Sequence, residues 1–215
     1  MTRFVYIVDD EEDVRASQRA LLGVNSDMIA QGFADGEAFL DELSERDAGV
    51  VLLDINMPGM SGIDLLKELR TRQCDWPVVV ITGQGEVTLA VRAMKLGAID
   101  FLEKPYDPAA LFAALDIGFA ALEKVEQAEI HRQRAMDSVA QLSPREQEIF
   151  GQLILGSTNR QISEVLHISV RTVEVHRANL MAKLQAKSLS DVLHVAFAAG
   201  LVSPNGTVSG PAATT

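Results

Sequence analysis

The sequence has one cysteine, no long apolar run and no overall surplus of positive charge. A single cysteine, Cys74, cannot form an intrachain disulfide, which excludes a disulfide-stabilised scaffold. No apolar run approaches the roughly 20 residues of a membrane-spanning helix. The acidic segment Asp9–Asp13 also begins before the apolar core of a signal peptide could form. We therefore expect a soluble, cytoplasmic protein with no membrane partner.

The net charge of −11 is concentrated in the first part of the chain. Residues 1–138 contain 13 Lys and Arg against 25 Asp and Glu, whereas residues 139–215 contain 6 against 5. At roughly 100–200 residues per domain, the 215 residues fit one large domain or two small ones. The charge difference favours two domains, and only the second could approach nucleic acid without strong repulsion.

The first 106 residues alternate short β-branched apolar runs with segments whose apolar residues recur every three or four positions. The second pattern is that of an amphipathic helix, and parallel strands need helices as crossovers. This alternation predicts an α/β domain with a doubly wound, five-stranded parallel sheet. The predicted strands are Phe4–Val8, Met28–Phe33, Val50–Leu53, Val78–Ile81 and Asp100–Leu102.

Polar residues follow the ends of four of these strands, and ligands of such sheets bind at the carboxyl ends of the strands. The residues are Asp9, Asp10, Asp54, Thr82 and Lys104. Carboxylates crowded there would repel one another unless a hard cation such as Mg²⁺ shared them. Lys104 and Thr82 suit phosphoryl oxygens, and Asp54 could accept a phosphoryl group covalently. Taken singly, each residue also has an ordinary interpretation as a solvated loop, N-cap or turn residue.

Four segments make this part of the sequence resemble the receiver domain of two-component response regulators, over about residues 3–122. They are VDDEEDVR, LLDINMPGMSGIDLL, VVVITGQGE and AIDFLEKP. The resemblance implies a flavodoxin-like fold in which Asp54 is the phosphoacceptor and Asp10 is a direct Mg²⁺ ligand. It also implies that Asp9 holds a metal-bound water and that the backbone carbonyl of Asn56 completes the protein ligands.

The same resemblance assigns Thr82 and Lys104 to sensing of the phosphoryl group, and Phe101 to an aromatic switch that swings inward as Thr82 moves. A plain core aromatic is the alternative interpretation of Phe101. The bond between Lys104 and Pro105 corresponds to a cis peptide in the family. Gln84 departs from the family pattern, because close relatives commonly have His there, so the lifetime of the aspartyl phosphate stays open.

From Pro108 to about Met136 the sequence is rich in alanine and other good helix formers. One interpretation is a last receiver helix followed by a solvated linker. The other is one continuous helix whose apolar residues pair with the same helix of a second copy. Fewer than four clean heptads leave both interpretations open.

The second part of the chain begins with a strong helix start. Ser143 is a candidate N-cap, Pro144 stands at the first helical position, and Glu146 completes a capping box. The later helices are expected at Asn159–Leu166, at Val170–Leu184 with Ser169 as N-cap, and from about Ser190 to Ala199. A three-residue turn between the first two of these is typical of a helix-turn-helix, so a small all-α domain is expected to follow the α/β domain.

The helix predicted at Val170–Leu184 has a core side and an outward side. The core side carries Val173, His176 or Arg177, Leu180 and Leu184. The outward side carries Arg171, Glu174, Val175, Ala178 and Lys183. Its basic residues suit phosphates, Glu174 can accept a hydrogen bond from a cytosine amino group, and the small apolar residues can touch a thymine methyl. An exposed charged face without a ligand is the alternative.

Two segments, LSPREQEIF and GSTNRQISEVLHISVRTVEVHRANLMAKL, make residues 140–202 resemble the LuxR/NarL-type helix-turn-helix. The resemblance implies base readers at Glu174, Val175 and Ala178. It implies contacts with the DNA backbone at or near Arg160, Arg171, Thr172, Arg177 and Lys183. Arg160 stands where lysine is frequent, so its phosphate contact would be made by a fork of donors rather than a point charge.

The whole chain is therefore similar to response regulators of the FixJ/NarL family, which are phosphorylation-controlled transcription factors. The resemblance implies Mg²⁺ as cofactor and no turnover of a separate substrate. It implies four partners: a sensor histidine kinase, promoter DNA, RNA polymerase and, after phosphorylation, a second copy of the chain. The expected organisation is a receiver at 1–122, a helical linker at 123–138, a helix-turn-helix domain at 139–202 and a flexible tail at 203–215.

Two other classes of function can be compared with this interpretation. A haloacid-dehalogenase-like phosphatase also uses a strand-terminal aspartate, but it needs a second acid two residues later, where this chain has Asn56. A protein-interaction switch that uses the helix-turn-helix for docking is the stronger alternative, and a gel shift with promoter fragments separates it from DNA binding. Whether the resting receiver blocks the second domain or merely fails to dimerise it stays open, although a stiff helical linker favours activation by dimerisation.

Overall fold

A computed structural model describes residues 2–202 of the chain. The chain divides into two compact units, and the boundary lies between Val125 and Glu126. Within the described residues, no helix is both long enough and apolar enough to cross a membrane. The predicted tail at 203–215 lies outside the described residues.

The first unit contains five parallel strands in the order β2-β1-β3-β4-β5. Each strand is followed by a helix, which confirms the predicted doubly wound α/β fold. The elements are β1 Arg3–Val8, α1 Glu12–Leu22, β2 Met28–Phe33, α2 Gly36–Glu42, β3 Gly49–Asp54, α3 Gly62–Thr71, β4 Val78–Thr82, α4 Val87–Lys95 and β5 Asp100–Glu103. The five predicted strands agree with these bounds to within one residue at each end.

Two apolar layers cover the two faces of this sheet. One layer contains Phe39 of α2 and Leu66 of α3, and the other contains Leu22 of α1 and Leu115 of the following helix. Strands β3 and β4 are buried along their whole length because they lie in the middle of the sheet between both layers. Their continuous Val, Leu and Ile runs are those of strands covered on both faces.

The next helix, α5, extends without interruption over Pro108–Ala140. The structure has one continuous helix, as the second interpretation expected, and it runs four residues past Met136. Its pairing with a second copy stays a prediction. The beginning of α5 packs on the sheet through Leu111, Leu115 and Phe119. Gly118 lies so close to the sheet that an added Cβ would stand 2.8 Å from the side chain of Val50. A glycine in mid-helix is therefore explained here by close packing.

Up to residue 202, the last that the structure describes, the second unit contains four shorter helices after α5: α6 Pro144–Ile154, α7 Asn159–Val165, α8 Val170–Lys183 and α9 Leu189–Ala198. The predicted cap of α6 is confirmed, because Ser143 and Glu146 form a capping box with Pro144 in the first turn. Ser169 caps α8 as predicted, and Val173 and Leu180 lie in the core between the helices. The short turn between α7 and α8 confirms the helix-turn-helix arrangement.

Candidate functional site

The carboxyl ends of β1, β3, β4 and β5 lie side by side, which places their terminal residues at one edge of the sheet. In the strand pairing, Asp54 stands opposite Ile81, and Thr82 stands opposite Glu103. Lys104 follows β5 and is held there by its backbone N–H, which donates to the carbonyl of Thr82 at 2.8 Å. The bond between Lys104 and Pro105 is cis, as the resemblance implied.

Lys104 is the centre of this edge, because its ammonium joins two carboxylates from different strands. Its Nζ donates to Oδ1 of Asp54 at 2.6 Å and to Oδ2 of Asp9 at 3.1 Å. Asp9 is 1% exposed and Asp54 is 6% exposed, whereas the Lys104 side chain is 28% exposed. Two buried carboxylates at one place need a counter-charge, and here Lys104 supplies it.

The pKa values of the ion pair follow from burial and charge. Burial raises the pKa of Asp54, and the hydrogen bond and positive charge of Lys104 oppose this shift without cancelling it. Burial alone would lower the pKa of Lys104, but its hydrogen bonds with Asp54 and Asp9 and their charges outweigh that effect and raise it. Lys104 therefore stays protonated at neutral pH and offers a fixed positive charge beside Asp54.

The second oxygen of Asp54 is fixed by the loop that follows β3. Oδ2 of Asp54 accepts a hydrogen bond from the backbone N–H of Asn56 at 2.7 Å. The loop then turns tightly, since the backbone N–H of Gly62 donates to the carbonyl of Ile55 at 3.0 Å. A Cβ added at Gly62 would stand 2.2 Å from the backbone oxygen of Asp54, so only glycine fits.

Asp9 is fixed by its own chain and by a buried arginine that the sequence reasoning missed. Oδ1 of Asp9 accepts from the backbone N–H of Glu11 at 2.9 Å. Nη1 of Arg15 donates to the backbone carbonyl of Asp9 at 2.5 Å, and its other terminal nitrogen pairs with Glu12. The available signal was an arginine three residues after Glu12, a spacing that is also the pattern of an ordinary surface pair.

Thr82 has a partner that the sequence reasoning also missed. Its hydroxyl donates to Oε2 of Glu86 at 2.8 Å, and the same oxygen accepts from the backbone N–H of Gly83 at 2.9 Å. The side-chain amide of Asn56 donates to both carboxylate oxygens of Glu86, at 2.8 and 2.9 Å. The hydrogen bonds from Asn56, then Thr82, then Gly83 hold the pKa of Glu86 below its usual value. Glu86 belongs to the quoted segment VVVITGQGE, but no signal there distinguished it from a loop acid.

Asp10 and Phe101 are both exposed, Phe101 to 43% of its surface. The alternative of Phe101 as a core aromatic is therefore wrong for this structure. In the described part of the chain, no three acidic, thiol or imidazole groups stand close enough to hold a metal together. The expected cluster of three carboxylates is thus a pair, Asp9 and Asp54, joined by Lys104.

The donor set at this edge still fits a small hard cation. Mg²⁺ prefers oxygen ligands and keeps several waters, so it needs few protein ligands. The pair formed by Asp9 and Asp54 offers carboxylate oxygens, the exposed Asp10 follows Asp9 in the chain, and Asn56 offers its backbone carbonyl. They offer only oxygen, the chemistry that this ion requires.

In the second unit, helix α8 presents the predicted outward face to solvent. Arg171, Glu174, Val175 and Ala178 are exposed, and Val175 keeps 54% of its surface accessible. These positions follow the pattern i, i+3, i+4 and i+7, so they share one side of the helix. Thr172 is half-buried, and its Oγ1 lies 2.8 Å from Oγ of the N-cap Ser169.

Three of the predicted basic residues have protein partners within this unit: the two arginines Arg177 and Arg160, and Lys183. Nη1 of Arg177 donates to Oδ1 of Asn159 at 2.8 Å, which links α8 to α7, and Arg177 is half-buried. Nε of the exposed Arg160 lies 3.3 Å from Oε1 of Glu164, one helical turn away. Both keep free guanidinium donors, because arginine has five.

Lys183 is exposed, as expected of the outward side, but its ammonium binds groups of the protein itself. Its Nζ donates to Oε2 of Glu146 at 2.7 Å and to the backbone carbonyl of Gln141 at 3.2 Å. Glu146 is 4% exposed, and its pKa is lowered to about 2, first by the hydrogen bond from Lys183 and then by that from the backbone of Ser143. The physical reason is that a buried carboxylate needs a counter-charge, and Lys183 is the cation that reaches it.

A receiver fold with an aspartate–lysine–threonine edge, followed by a helix-turn-helix, defines the class of DNA-binding response regulators. Comparison with known families agrees: residues 5–116 match the response regulator receiver domain, and residues 140–196 match the bacterial regulatory proteins of the luxR family. The chain is 41% identical over 199 residues to the transcriptional regulatory protein FixJ of Bradyrhizobium diazoefficiens, covering 93% of this chain and 97% of that protein.

Solved structures of full-length regulators show the same similarity. The response regulator StyR is 36% identical, with a TM-score of 0.77 over 92% of this chain and 99% of that chain. Full-length FixJ from B. japonicum is 41% identical, with a TM-score of 0.58 over 94% of this chain and all of that chain. The chain belongs to the FixJ/NarL family of response regulators and is a two-component transcriptional regulator. Its two matched domains indicate a non-enzymatic regulator.

Proposed function

We propose that Asp54 is the phosphoacceptor of this regulator and that a sensor histidine kinase is the donor. The observation that carries the proposal is a buried carboxylate held from both sides, by Nζ of Lys104 at 2.6 Å and by the N–H of Asn56 at 2.7 Å. In the transfer, an oxygen of Asp54 attacks phosphorus, the bond between phosphorus and the histidine nitrogen breaks, and the imidazole leaves. The chain accepts the group and turns over no separate substrate.

The remaining residues of the edge support this step. Mg²⁺ would be held by Asp9, Asp10, Asp54 and the carbonyl of Asn56, and when bound it neutralises charge on the transferring group. Lys104 stays protonated and offers its ammonium to a phosphoryl oxygen. Thr82 donates its hydroxyl to another oxygen, and its movement is the signal to which Phe101 responds.

Phosphorylation is proposed to make a dimer through residues 86–103. Four apolar side chains on α4 and β5 are exposed there, to between 40% and 66% of their surfaces: Val87, Val91, Met94 and Phe101. Exposed apolar groups in one sequence segment favour a protein partner over solvent. The phosphoryl group would act by shifting the population of conformations in which this face is ready to pair.

Helix α8 is proposed to read promoter DNA in the major groove. Glu174, Val175 and Ala178 are the base readers, because they are exposed on one side of the helix. Arg160, Arg171, Thr172 and Arg177 contact the DNA backbone. A dimer places two such helices in successive major grooves, so the operator has two half-sites about one helical turn apart.

The receiver domain is proposed to regulate DNA binding by the second domain. The proposed bounds are a receiver at 1–122, a helical linker at 123–138 and a DNA-binding domain at 139–202. The protein acts in the cytoplasm, where promoter-bound dimers recruit RNA polymerase and activate transcription. If dimerisation is the whole effect of the receiver, a fragment of residues 139–215 binds operator no better than the resting chain. A fragment that binds clearly better would show that the resting receiver blocks DNA binding instead.

Labelling with a phosphoryl donor tests the assignment of Asp54. Intact-mass spectrometry after treatment with a small acyl phosphate and Mg²⁺ should show one added phosphoryl group, and Asp54→Asn should show none. The amide of Asn has no charge and is a far weaker nucleophile, and Asp9 and Asp10 would serve as ligands of the metal rather than as phosphoacceptors. An undiminished label on Asp54→Asn would refute the assignment.

A further inference from the structure

The carboxylate of Glu86 occupies a small cradle of donors beside the phosphoacceptor. Oε2 accepts from the hydroxyl of Thr82 at 2.8 Å and from the N–H of Gly83 at 2.9 Å. The amide of Asn56 donates to both oxygens, at 2.8 and 2.9 Å. The cradle therefore holds an anionic group through Thr82, Gly83 and Asn56. The backbone N–H of Asn56 also donates to Asp54.

The hydroxyl of Thr82 has one proton, so it can serve one strong acceptor at a time. In this structure the near acceptor is Glu86, and the only other one recorded within the described residues is the carbonyl of Gly83, farther away at 3.3 Å. A phosphoryl group on Asp54 needs the same proton. The hydrogen bond between Thr82 and Glu86 must therefore break before Thr82 can hold the phosphoryl group.

We propose that Glu86 is a positioning residue that acts as an internal competitor of the phosphoryl group for the hydroxyl of Thr82. It holds Thr82 in the unphosphorylated protein and is displaced when Asp54 carries its phosphoryl group. This inference rests on the proposed role of Asp54. A phosphoryl group adds about −1.5 to −2 units of charge, so repulsion between it and the carboxylate of Glu86 assists the displacement.

The position of Glu86 in the chain connects this competition to helix α4. Glu86 immediately precedes α4, and its backbone carbonyl accepts from the N–H groups of Leu89 at 2.9 Å and Ala90 at 3.1 Å. Release of the side chain therefore frees the residue on which the first turn of α4 is built. The exposed Val87 lies in that turn, so the event at Thr82 reaches the apolar face of α4 directly.

Binding of beryllofluoride, a phosphoryl analogue, to the full chain with Mg²⁺ tests the competition by isothermal titration. Glu86→Ala should tighten binding about five- to tenfold, the range of one hydrogen bond that no longer has to be broken. In a Thr82→Val background, which lacks the hydroxyl, Glu86→Ala should tighten binding clearly less than it does in the wild type, because only the relief of charge repulsion is left. Glu103→Ala is the matched control, because Glu103 accepts from the N–H of Gly85 in the same loop but does not touch Thr82. It should change the affinity less than twofold.

A second variant and a second readout separate competition from a structural effect. Glu86→Gln keeps the shape but is a weaker, neutral acceptor, so it should tighten binding about two- to threefold. In Glu86→Ala without beryllofluoride, the methyl resonance of Thr82 should move toward its position in the beryllofluoride-bound wild type. Mere loosening of the loop would not move it in that direction.

Three outcomes would overturn the inference. Unchanged or weaker binding by both Glu86 variants would show that Glu86 does not compete. Equal tightening with and without the hydroxyl of Thr82 would show a charge effect that does not involve Thr82. Absence of beryllofluoride binding in the wild type would overturn the proposed function as well, whereas tight wild-type binding that Glu86→Ala leaves unchanged would overturn this inference alone.

Discussion

Loss of the ammonium of Lys183 should destabilise the second unit, because it leaves a buried carboxylate without its cation. Glu146 is 4% exposed and accepts from Lys183 at 2.7 Å and from the backbone of Ser143 at 2.8 Å. Removal of one partner of a fully buried pair costs about 3–5 kcal/mol, whereas an exposed pair contributes about 0–1 kcal/mol. The side chain of Lys183 is 40% exposed, so we expect Lys183→Met to lower the free energy of unfolding by about 2 kcal/mol, between these limits.

Urea unfolding of the full chain, followed by far-ultraviolet circular dichroism, measures this effect. Glu146→Gln and the double variant complete a mutant cycle. The double variant should be less destabilised than the sum of the single variants, because it leaves no unpaired buried charge. Lys187→Met is a matched control, since Lys187 is an exposed lysine close by in the chain, and it should stay within about 0.5 kcal/mol of the wild type.

The same ion pair has a defined dependence on pH. The pKa of Glu146 is about 2 in the folded protein, against an ordinary value of 4.5. Because the folded pKa is the lower one, the ionised carboxylate contributes stability that is present above about pH 4.5. That contribution is lost as pH falls from 4.5 through 2. The difference in stability between the wild type and Glu146→Gln should therefore shrink steadily below pH 4.5.

DNA binding decides between this role of Lys183 and the contact expected from the sequence. At a temperature where all variants are folded, Lys183→Met should leave the salt dependence of operator binding unchanged. A lost phosphate contact would instead lower the slope by about one unit. Unchanged stability together with a lowered slope would refute the reasoning.

Four further substitutions have defined outcomes. Gly62→Ala should destabilise the first unit by about 1–3 kcal/mol in urea unfolding, because its Cβ would overlap the backbone oxygen of Asp54; wild-type stability would contradict this. Phe101→Ala should weaken the dimer that beryllofluoride and Mg²⁺ induce in sedimentation experiments, and a dimer of undiminished affinity would count against the proposed face. Glu174→Ala should relax base preference at one operator position at a loss of about 1–3 kcal/mol, whereas Arg171→Ala should weaken all sequences alike; a selected motif unchanged by Glu174→Ala would exclude it as a base reader.

The strands and most helix ends were predictable because local signals determine them. Strands β3 and β4 are continuous Val, Leu and Ile runs, and α6 begins with a capping box that Ser143 and Glu146 form within one turn. The meeting of the strand-end residues at one site was also predictable, because the carboxyl ends of parallel strands lie at the same edge of a sheet. The length of α5 was not determined in the same way, because neither Gly nor Pro follows Met136 before Pro144 to mark where the helix ends.

Two of the contacts that sequence reasoning missed join residues that are far apart in the chain. Glu86 meets Asn56 from another loop, and Lys183 meets Glu146 across α6 and α8. Periodicity places Lys183 near the edge of the outward face, but only packing shows that a buried carboxylate lies within its reach. The role of such a charged residue depends on whether its partner is buried. Burial of a side chain by another element leaves no local pattern in the sequence, so this role could not be predicted.

The most direct test of the account is whether phosphorylation of Asp54 controls promoter binding. Fluorescence anisotropy would measure the affinity of the full chain for an operator selected from random DNA, with and without a small acyl phosphate and Mg²⁺. The account predicts that the donor tightens binding by the wild type at least tenfold and leaves Asp54→Asn unchanged. An equal response by both proteins, or none by a wild type shown by mass to be phosphorylated, would contradict it.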